Sequence, residues 1–485
     1  MNDLTIIGLE VAVIATGLGL LMLDLWTPRE QKARLGYAAA AALLCILVAS
    51  FAITSGEPKL AFGGMYVLDA MGLFFKRFFL LAAILVLLMS VEFAERFETG
   101  IAEYYSLTLF ALAGMMFAAS ANDFSLLFVS VELITVTFYI LTSFQRGRAA
   151  SLESGIKYLI LGAVSSAFLV YGIALVFGAS GTMNFQQLSE SAPPVLTSRL
   201  LALGLLLVFV GLGFKVAAVP FQVWAPDVYQ GAPTPTTAFL AVGSKAAGIV
   251  LLLRVLHAAA PAITGHWVKL LICVSALSIL YGNLCVIPQQ NLKRLLAYSS
   301  IANAGYLFIG IAASSVAGST AVLYYLAGYL FTVLAAFTVI CLAMRSIEGE
   351  SISALSGLHQ RSPLLGATLA LSMVSLAGIP PLAGFFGKFL LLKSALAQAG
   401  TQHGFYCLVG VAIVGVVVSL YYYFGVIRAI YWPSPGADLS PIQLSRPIQV
   451  ALCVCVVGML GLGLFPNTLL DLAAQAAANL SGSAT

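Results

Sequence analysis

The stretch "GLGFKVAAVPFQVW", residues 211–224, sets Lys215 and Pro220 inside a single apolar run. Lysine is costly in hydrocarbon, and proline withholds an N–H from the helix that hydrocarbon demands. The two fit together if a membrane helix is broken at depth and the ammonium lies among the polar groups that the break frees. Pro220 leaves the carbonyl of Val216 without its helical donor. Non-helical backbone at such depth is tolerated only where it is buried in protein or lines a wet cavity.

The sequence around this stretch is that of a membrane protein. Of 485 residues, 61% are hydrophobic and 9% charged, with mean hydropathy +1.02; soluble domains carry roughly 25% charged residues. A span takes about 20 apolar residues. Fourteen apolar runs satisfy this, near 4–25, 35–54, 71–93, 105–121, 123–142, 156–179, 200–224, 236–258, 267–287, 295–313, 320–344, 364–398, 405–431 and 447–471. The expected fold is an all-α polytopic membrane protein of about 14 transmembrane helices. The first run reads as a retained helix, because it carries Glu10 and Asp24 and no basic segment precedes it.

Several function classes fall away. The seven cysteines (Cys45, Cys273, Cys285, Cys341, Cys407, Cys453, Cys455) lie in apolar runs with no C-x-x-C spacing, so they read as small packing residues rather than iron–sulfur or zinc ligands. No glycine-rich strand-to-helix turn offers a nucleotide cradle. The histidines (His257, His266, His359, His403) show no ligand spacing and receive no chemistry. The net charge of +4 follows membrane topology and gives no sign of nucleic acid.

Charge asymmetry orients the chain. The odd-numbered connections hold Arg29, Lys32, Arg34, Arg96, Arg146, Arg148, Lys293, Arg294, Arg345, Arg361, Arg428 and Arg446. The even-numbered ones hold Lys59, Arg199 and Lys269, with Lys76, Arg77, Arg254 and Lys393 just inside neighbouring helix ends. The positive-inside rule then puts both termini outside. Runs four to eight and nine to thirteen form two five-helix units. The fourth member of each is interrupted, one by Pro220 and the other by Pro380 and Pro381 in "SLAGIPPLAGFFGKFLLL". Five is odd, so the second unit enters from the opposite face and the repeats are inverted, an architecture of transporters with sites near the midplane. The division is 1–104 for helices 1–3, 105–258 and 259–431 for the two repeats, and 432–485 for helix 14.

Intramembrane charges mark the candidate site. Glu132 lies about nine residues into its run, hence about 13 Å into a core roughly 30 Å thick. Lys245, in "TTAFLAVGSKAAGIVLLL", reaches a similar depth, and Lys215 and Lys388 lie near the two breaks. Lys157 stands near the start of its run, where it reads equally as a group reaching for the interface. Asp24, Lys76 and Arg77 lie near helix ends and read as interfacial. Burial disfavours an ammonium and brings proton loss from lysine within reach of neutral pH, which suits a relay. A carboxylate about 10 Å away contributes roughly 1.7 kcal/mol at an effective dielectric of 20. Lifting one charge against 100 mV costs about 2.3 kcal/mol, so several coupled groups are needed.

At these residues a resemblance enters. "GLGFKVAAVPFQVWAPDVYQGAPTPTTAFLAVGSKAAG", "LESGIKYLILGAVSSAFLVYGIAL", "NLKRLLAYSSIANAGY" and "SLAGIPPLAGFFGKF" resemble the antiporter-like membrane subunits of bacterial NADH:quinone oxidoreductase (respiratory complex I). Within that family they are most similar to the N subunits, the counterparts of mitochondrial subunit 2. The resemblance implies a proton-translocating subunit with no cofactor of its own, whose complex reduces quinone elsewhere and holds FMN and iron–sulfur clusters in other subunits. It implies partners of the M, L, K, J and A types, the lateral helix of the L subunit and membrane lipid, with quinone touched only indirectly. It also implies a bacterial inner membrane with both termini on the periplasmic side. By the same resemblance Glu132 tunes the key lysine, Lys215 loads the proton, Lys245 is the central relay, Lys388 serves the exit side, and Lys157 links to the Glu–Lys pair. Lysine at 388 favours N over M, and the short tail "AAQAAANLSGSAT" lacks the L subunit's lateral helix.

Two positions depart from the family. Gln222 and Asn303 stand where members commonly have histidine, which puts histidine as an obligatory carrier in doubt at both. The competing function is a subunit of a multisubunit cation/proton antiporter, and a third reading is a scaffold whose charges only hold helices together.

Overall fold

A computed structural model of the chain describes residues 3–53, 57–191, 193–259, 264–343, 350–433 and 439–481. Arg345, one of the charges used for orientation, lies outside the described residues. Helices of eight residues or more are numbered in chain order: α1 Gly8–Asp24, α2 Leu35–Ser50, α3 Ala70–Phe93, α4 Ile101–Ala119, α5 Phe124–Thr142, α6 Ala149–Ser180, α7 Arg199–Val216, α8 Trp224–Gly231 and α9 Thr234–His257. There follow α10 Thr264–Val286, α11 Leu292–Ala312, α12 Val316–Ala343, α13 Pro363–Ala377, α14 Ala383–Gln398, α15 Gly404–Tyr431, α16 Arg446–Leu464 and α17 Asn467–Ser481. Two short strands, β1 Lys59–Ala61 and β2 Tyr66–Leu68, pair antiparallel with Ala61 opposite Tyr66.

The chain is an all-α polytopic membrane protein. Among the described residues 12 helical stretches are long and apolar enough to cross a membrane. The fourteen apolar runs of the sequence include, besides these, α1 with 17 residues and the shorter pair α13 and α14. Run 364–398 appears as two half-length helices because Pro380 and Pro381 divide it.

Both expected interruptions are present, and their backbones correspond. α7 ends in left-handed Ala217 (φ 58°, ψ 44°), and α13 in left-handed Gly378 (φ 83°, ψ 44°). Ala217 N–H donates to Phe214 O at 3.0 Å and Ala218 N–H to Gly213 O at 2.9 Å; Gly378 N–H donates to Ser375 O at 3.0 Å and Ile379 N–H to Val374 O at 3.2 Å. This is one capping pattern used twice, the paired reverse bonds that satisfy carbonyls at a helix C-terminus. The peptide bonds Val219–Pro220 and Pro380–Pro381 that follow are both cis. The break groups find further partners: Val219 N–H donates to Ser278 Oγ at 3.0 Å, and the Trp224 indole on α8 donates back to Phe214 O at 2.9 Å. Such accounting is obligatory where water is scarce.

The lysines do not follow this correspondence. Lys215 occupies the last turn before its break, whereas Lys388 lies in α14, after its break. The apolar stretches of α9 and α11 are wholly buried, while α6, α15 and α16 keep much of their surface exposed. The buried pair therefore forms the interior against which both interrupted helices are set.

Candidate functional site

Lys215 is 5% exposed and donates its ammonium to Thr135 Oγ1 on α5. Thr135 in turn donates to Val131 O at 2.5 Å. Because Thr135 follows Glu132 by three positions on one helix, the two side chains share a face. Glu132 forms no direct ion pair with Lys215; its Oε1 accepts from Ser166 Oγ of α6 at 2.5 Å. The carboxylate therefore lies beside the lysine without touching it, one turn from the Thr135 hydroxyl that receives the ammonium. The ammonium also lies 5.9 Å from the Tyr158 ring centre and at the C-terminal end of α7, where the helix dipole favours a cation.

Lys245 lies at the far side of α9. It follows a turn of π-helix over Leu240–Ser244, a local widening frequent at functional positions. Its ammonium donates to Ser300 of α11 twice, to the carbonyl at 2.6 Å and to the hydroxyl. Tyr229 of α8 meets the same hydroxyl at 3.3 Å. Gly248, one turn further along α9, faces α7 so closely that a Cβ there would lie 2.8 Å from Val216 Cγ2 and 3.4 Å from Lys215 Cβ. The absence of a side chain at 248 is what lets the helix of Lys245 pass directly behind Lys215.

Lys388 reaches back across its break. The ammonium donates to Leu376 O at 2.7 Å and lies 3.5 Å from Ala377 O, the terminal carbonyls of α13. It also lies over the Tyr306 ring of α11 at 4.8 Å. Between Ser300 and Tyr306 stands Asn303, whose Oδ1 accepts from Tyr325 at 2.8 Å and whose amide is 3.4 Å from Ser299 Oγ. Ser299 pairs with Tyr423 at 2.5 Å. One buried helix face therefore carries hydroxyl, amide and phenol groups from Lys245 to Lys388.

Lys157 is placed differently. It is 42% exposed and forms ion pairs at 2.7 Å with both Glu153 and Asp227, while Arg294 holds the other oxygen of Asp227 at 2.7 Å. Ser166, which touches Glu132, lies nine positions further along α6, about 13 Å. The structure brings Lys215, Lys245 and Lys388 into one interior, sets the half-buried Glu132 at its edge on α5, and leaves Lys157 in an ion network at one end.

With this geometry in place, likeness to known proteins becomes informative. A family model described as NADH:quinone oxidoreductase/Mrp antiporter, transmembrane, matches residues 121–416, a span that contains every residue of the buried row. The chain belongs to this family. A relative from Moorella thermoacetica, NADH-quinone oxidoreductase subunit N, is 41% identical over 477 residues, covering 98% of this chain and 99% of its own. A subunit in a structure of respiratory complex I from Thermus thermophilus with bound aureothin superposes with TM-score 0.80 at 35% identity, covering 96% and 99% of the two chains. A subunit of the Mrp complex from Dietzia shares the fold, with TM-score 0.85 at 22% identity over 98% of each chain.

For this member of the NADH:quinone oxidoreductase/Mrp antiporter family, sequence reading passed over several groups. Thr135, Ser166, Ser300 and Asp227 hold the charged residues, and only helical spacing from Glu132 could have pointed to Thr135. Lys76, read as interfacial, is fully buried and paired with Glu10 at 2.9 Å. Arg254 is buried against Asp69 at 2.8 Å, and Lys293, counted as a connection charge, is buried against Glu350 at 2.8 Å. Among the described residues no cluster of histidine, cysteine and carboxylates has metal-binding geometry.

Proposed function

We propose that the chain is a membrane-arm, antiporter-like subunit of an NADH:quinone oxidoreductase and that it moves protons through Glu132, Lys215, Lys245 and Lys388, with water completing the gaps. The observation that carries this reading is the row of three lysines, each at most 5% exposed, none in an ion pair among the described residues, and each solvated by hydroxyl or carbonyl oxygens. A buried ammonium without a carboxylate is costly to keep charged, so its proton is available to a neighbour. The full-length similarity to subunit N supports placing this row in complex I. Quinone reduction then happens in other subunits, as do the FMN and iron–sulfur chemistry, and this chain contributes no redox step.

The proton path in this reading begins at Lys215. Glu132 favours the loaded lysine through space. When that influence is withdrawn, the ammonium gives its proton toward Lys245, whose helix passes behind it at Gly248. Ser300, Asn303 and Tyr306 on α11 carry the connection onward to Lys388. Gln222, in the first break, is 6% exposed with its Oε1 buried and unpartnered, a setting that suits an ordered water. Lys157 with Asp227 and Arg294 is read as the link to the cytoplasmic end.

In the assembled state the chain is read with both termini on the periplasmic side of a bacterial inner membrane, in two inverted five-helix repeats. Its neighbours are subunits of the M, L, K, J and A types, the L subunit's lateral helix and lipid. The second reading, a cation/proton antiporter subunit, draws on the shared fold of the Mrp complex. Purification of the chain from native membranes with its partners, followed by proton-to-electron ratios in vesicles, separates the two. Co-purifying iron–sulfur subunits with proton uptake driven by quinone reduction are expected. Partners without redox centres, with uptake driven only by a cation gradient, would overturn the first reading.

A further inference from the structure

The first three helices contain a charged site that the row above does not use. Glu10 of α1 and Lys76 of α3 are each 0% exposed, and Tyr66 of β2 is 1% exposed. This burial is internal to the chain and owes nothing to a partner subunit. Lys76 Nζ lies 2.9 Å from Glu10 Oε1 and also donates to Tyr66 Oη. Tyr66 donates to the same Glu10 Oε1 at 2.9 Å. Both donors therefore converge on one carboxylate oxygen. The other, Oε2, is buried with no hydrogen-bond partner among the described residues.

That asymmetry is chemically informative. A purely structural ion pair in a low-dielectric interior holds only if both carboxylate oxygens are satisfied, and a buried acceptor left bare costs about 1–3 kcal/mol, more when charged. A water on Oε2 removes the penalty; a proton satisfies the oxygen as well but also takes away the negative charge that faces Lys76. The surroundings connect the site to the interior. Val67 N–H, next to Tyr66, donates to Ser120 O at 2.9 Å. The adjoining Ala119 O accepts from Arg254 Nε at 2.8 Å. Arg254 in turn grips Asp69, at the start of α3, at 2.8 and 3.1 Å, and it belongs to α9, the helix of Lys245.

We propose that Glu10, with Tyr66 and Lys76, is a second proton-binding site, lying outside the two five-helix segments and joined to them through Ala119, Ser120 and Arg254. The proton binds at Glu10 Oε2, forming one O–H bond, and leaves to water by the reverse step. Lys76 and Tyr66 hold Oε1 in place throughout, and no electrons move. This inference rests on the reading that the chain translocates protons.

The experiment uses the intact complex in vesicles, with proton uptake measured against quinone reduction and the carboxyl region followed by infrared difference spectroscopy in H₂O and D₂O. Three variants are compared: Glu10→Gln, Tyr66→Phe and the double Glu10→Leu/Lys76→Met. The last removes the pair together and leaves no lone buried charge. In the wild type a deuterium-sensitive carboxyl band is expected that Glu10→Gln abolishes. Both Glu10→Gln and the double variant are expected to pump less per electron, by a margin comparable to Lys215→Ala, with Tyr66→Phe between them and wild type. If the Glu10 variants assemble, pump at the wild-type ratio and leave the carboxyl spectrum unchanged while Lys215→Ala is impaired, the triad is structural and the inference is wrong. If Lys215→Ala also pumps normally, the parent reading fails and takes this one with it. Should Glu10→Gln not assemble, Tyr66→Phe with normal pumping is sufficient to overturn it.

Discussion

Lys245 and Lys388 meet the same buried helix: Ser300 of α11 accepts the first ammonium at 2.6 Å, and the Tyr306 ring of α11 lies 4.8 Å beneath the second. The two contacts are about 9 Å apart along the axis, too far for direct proton transfer, with the Asn303 amide set between them on the same helix. A continuous helix fixes that spacing, so the lysines are held by one rigid element although they come from separate parts of the chain.

The aromatic support under Lys388 is expected to matter more than the phenol hydroxyl. Tyr306→Phe keeps the ring and loses only a 2.9 Å bond to Ala412 O, whereas Tyr306→Leu removes the face that stabilises the ammonium, about 1–2 kcal/mol at a desolvated site. Proton-to-electron ratios should be near wild type for the first and clearly lower for the second. Equal loss in both would assign the role to the hydroxyl.

At the other end of the row, Glu132→Gln should leave the complex assembled and weaken proton loading by roughly twentyfold, the size of a 1.7 kcal/mol influence at about 10 Å. Lys215→Ala should be at least as damaging. Thr135→Val takes away the oxygen that receives Lys215 and should impair pumping, with Thr135→Ser restoring it. Unchanged ratios for Glu132→Gln and Lys215→Ala together would favour charges that only hold helices in place.

How far the sequence foretold these groups depends on the range of the interaction that makes them. Pro220 and Pro380 act on their own helices, so both breaks were legible, and a lysine amid apolar residues needs no partner to be noticed. Lys76 was misread because depth counted from the end of a run treats six residues as near the surface. Its side chain instead meets Glu10, which is 66 positions away in sequence, and such pairing leaves no periodic trace. The sequence places one lysine near each break, before Pro220 and after Pro381, and the shared capping geometry that aligns Ala217 with Gly378 keeps Lys215 and Lys388 on opposite sides of their breaks.

That shared cap makes its own prediction. Gly378 adopts φ 83° and a Cβ there would lie 3.0 Å from Lys388 Cδ. Gly378→Ala therefore adds left-handed strain of about 1–2 kcal/mol and pushes on the lysine stem. A lower thermal midpoint and weaker pumping are expected. Ala217 already bears the same strain at φ 58°, so Ala217→Gly should leave the midpoint unchanged or raise it. A fall in midpoint for Ala217→Gly as large as that for Gly378→Ala would show that the cap is not where the strain lies.

The last prediction concerns Gln222 and Asn303, where the resemblance leads to an expectation of histidine. Asn303 accepts from Tyr325 and approaches Ser299, and Gln222 presents a buried, unpartnered oxygen. Each amide offers donors and an acceptor that orient water, and neither takes up a proton near neutral pH. A histidine in water titrates at about 6.5, so a path that required one would stop with an amide in its place. If lysines and water carry the proton here, Gln222→His and Asn303→His change the pH profile of pumping only slightly, and Lys245→Ala is far more harmful than Asn303→Ala. Proton uptake into vesicles between pH 6 and 8, with quinone reduction followed in parallel, distinguishes these outcomes. Loss of pumping in Asn303→Ala with Lys245→Ala intact would move the path off the lysines and onto the chain from Tyr325 through Asn303 and Ser299 to Tyr423, in which the Asn303 amide joins the Tyr325 hydroxyl to the Ser299–Tyr423 pair.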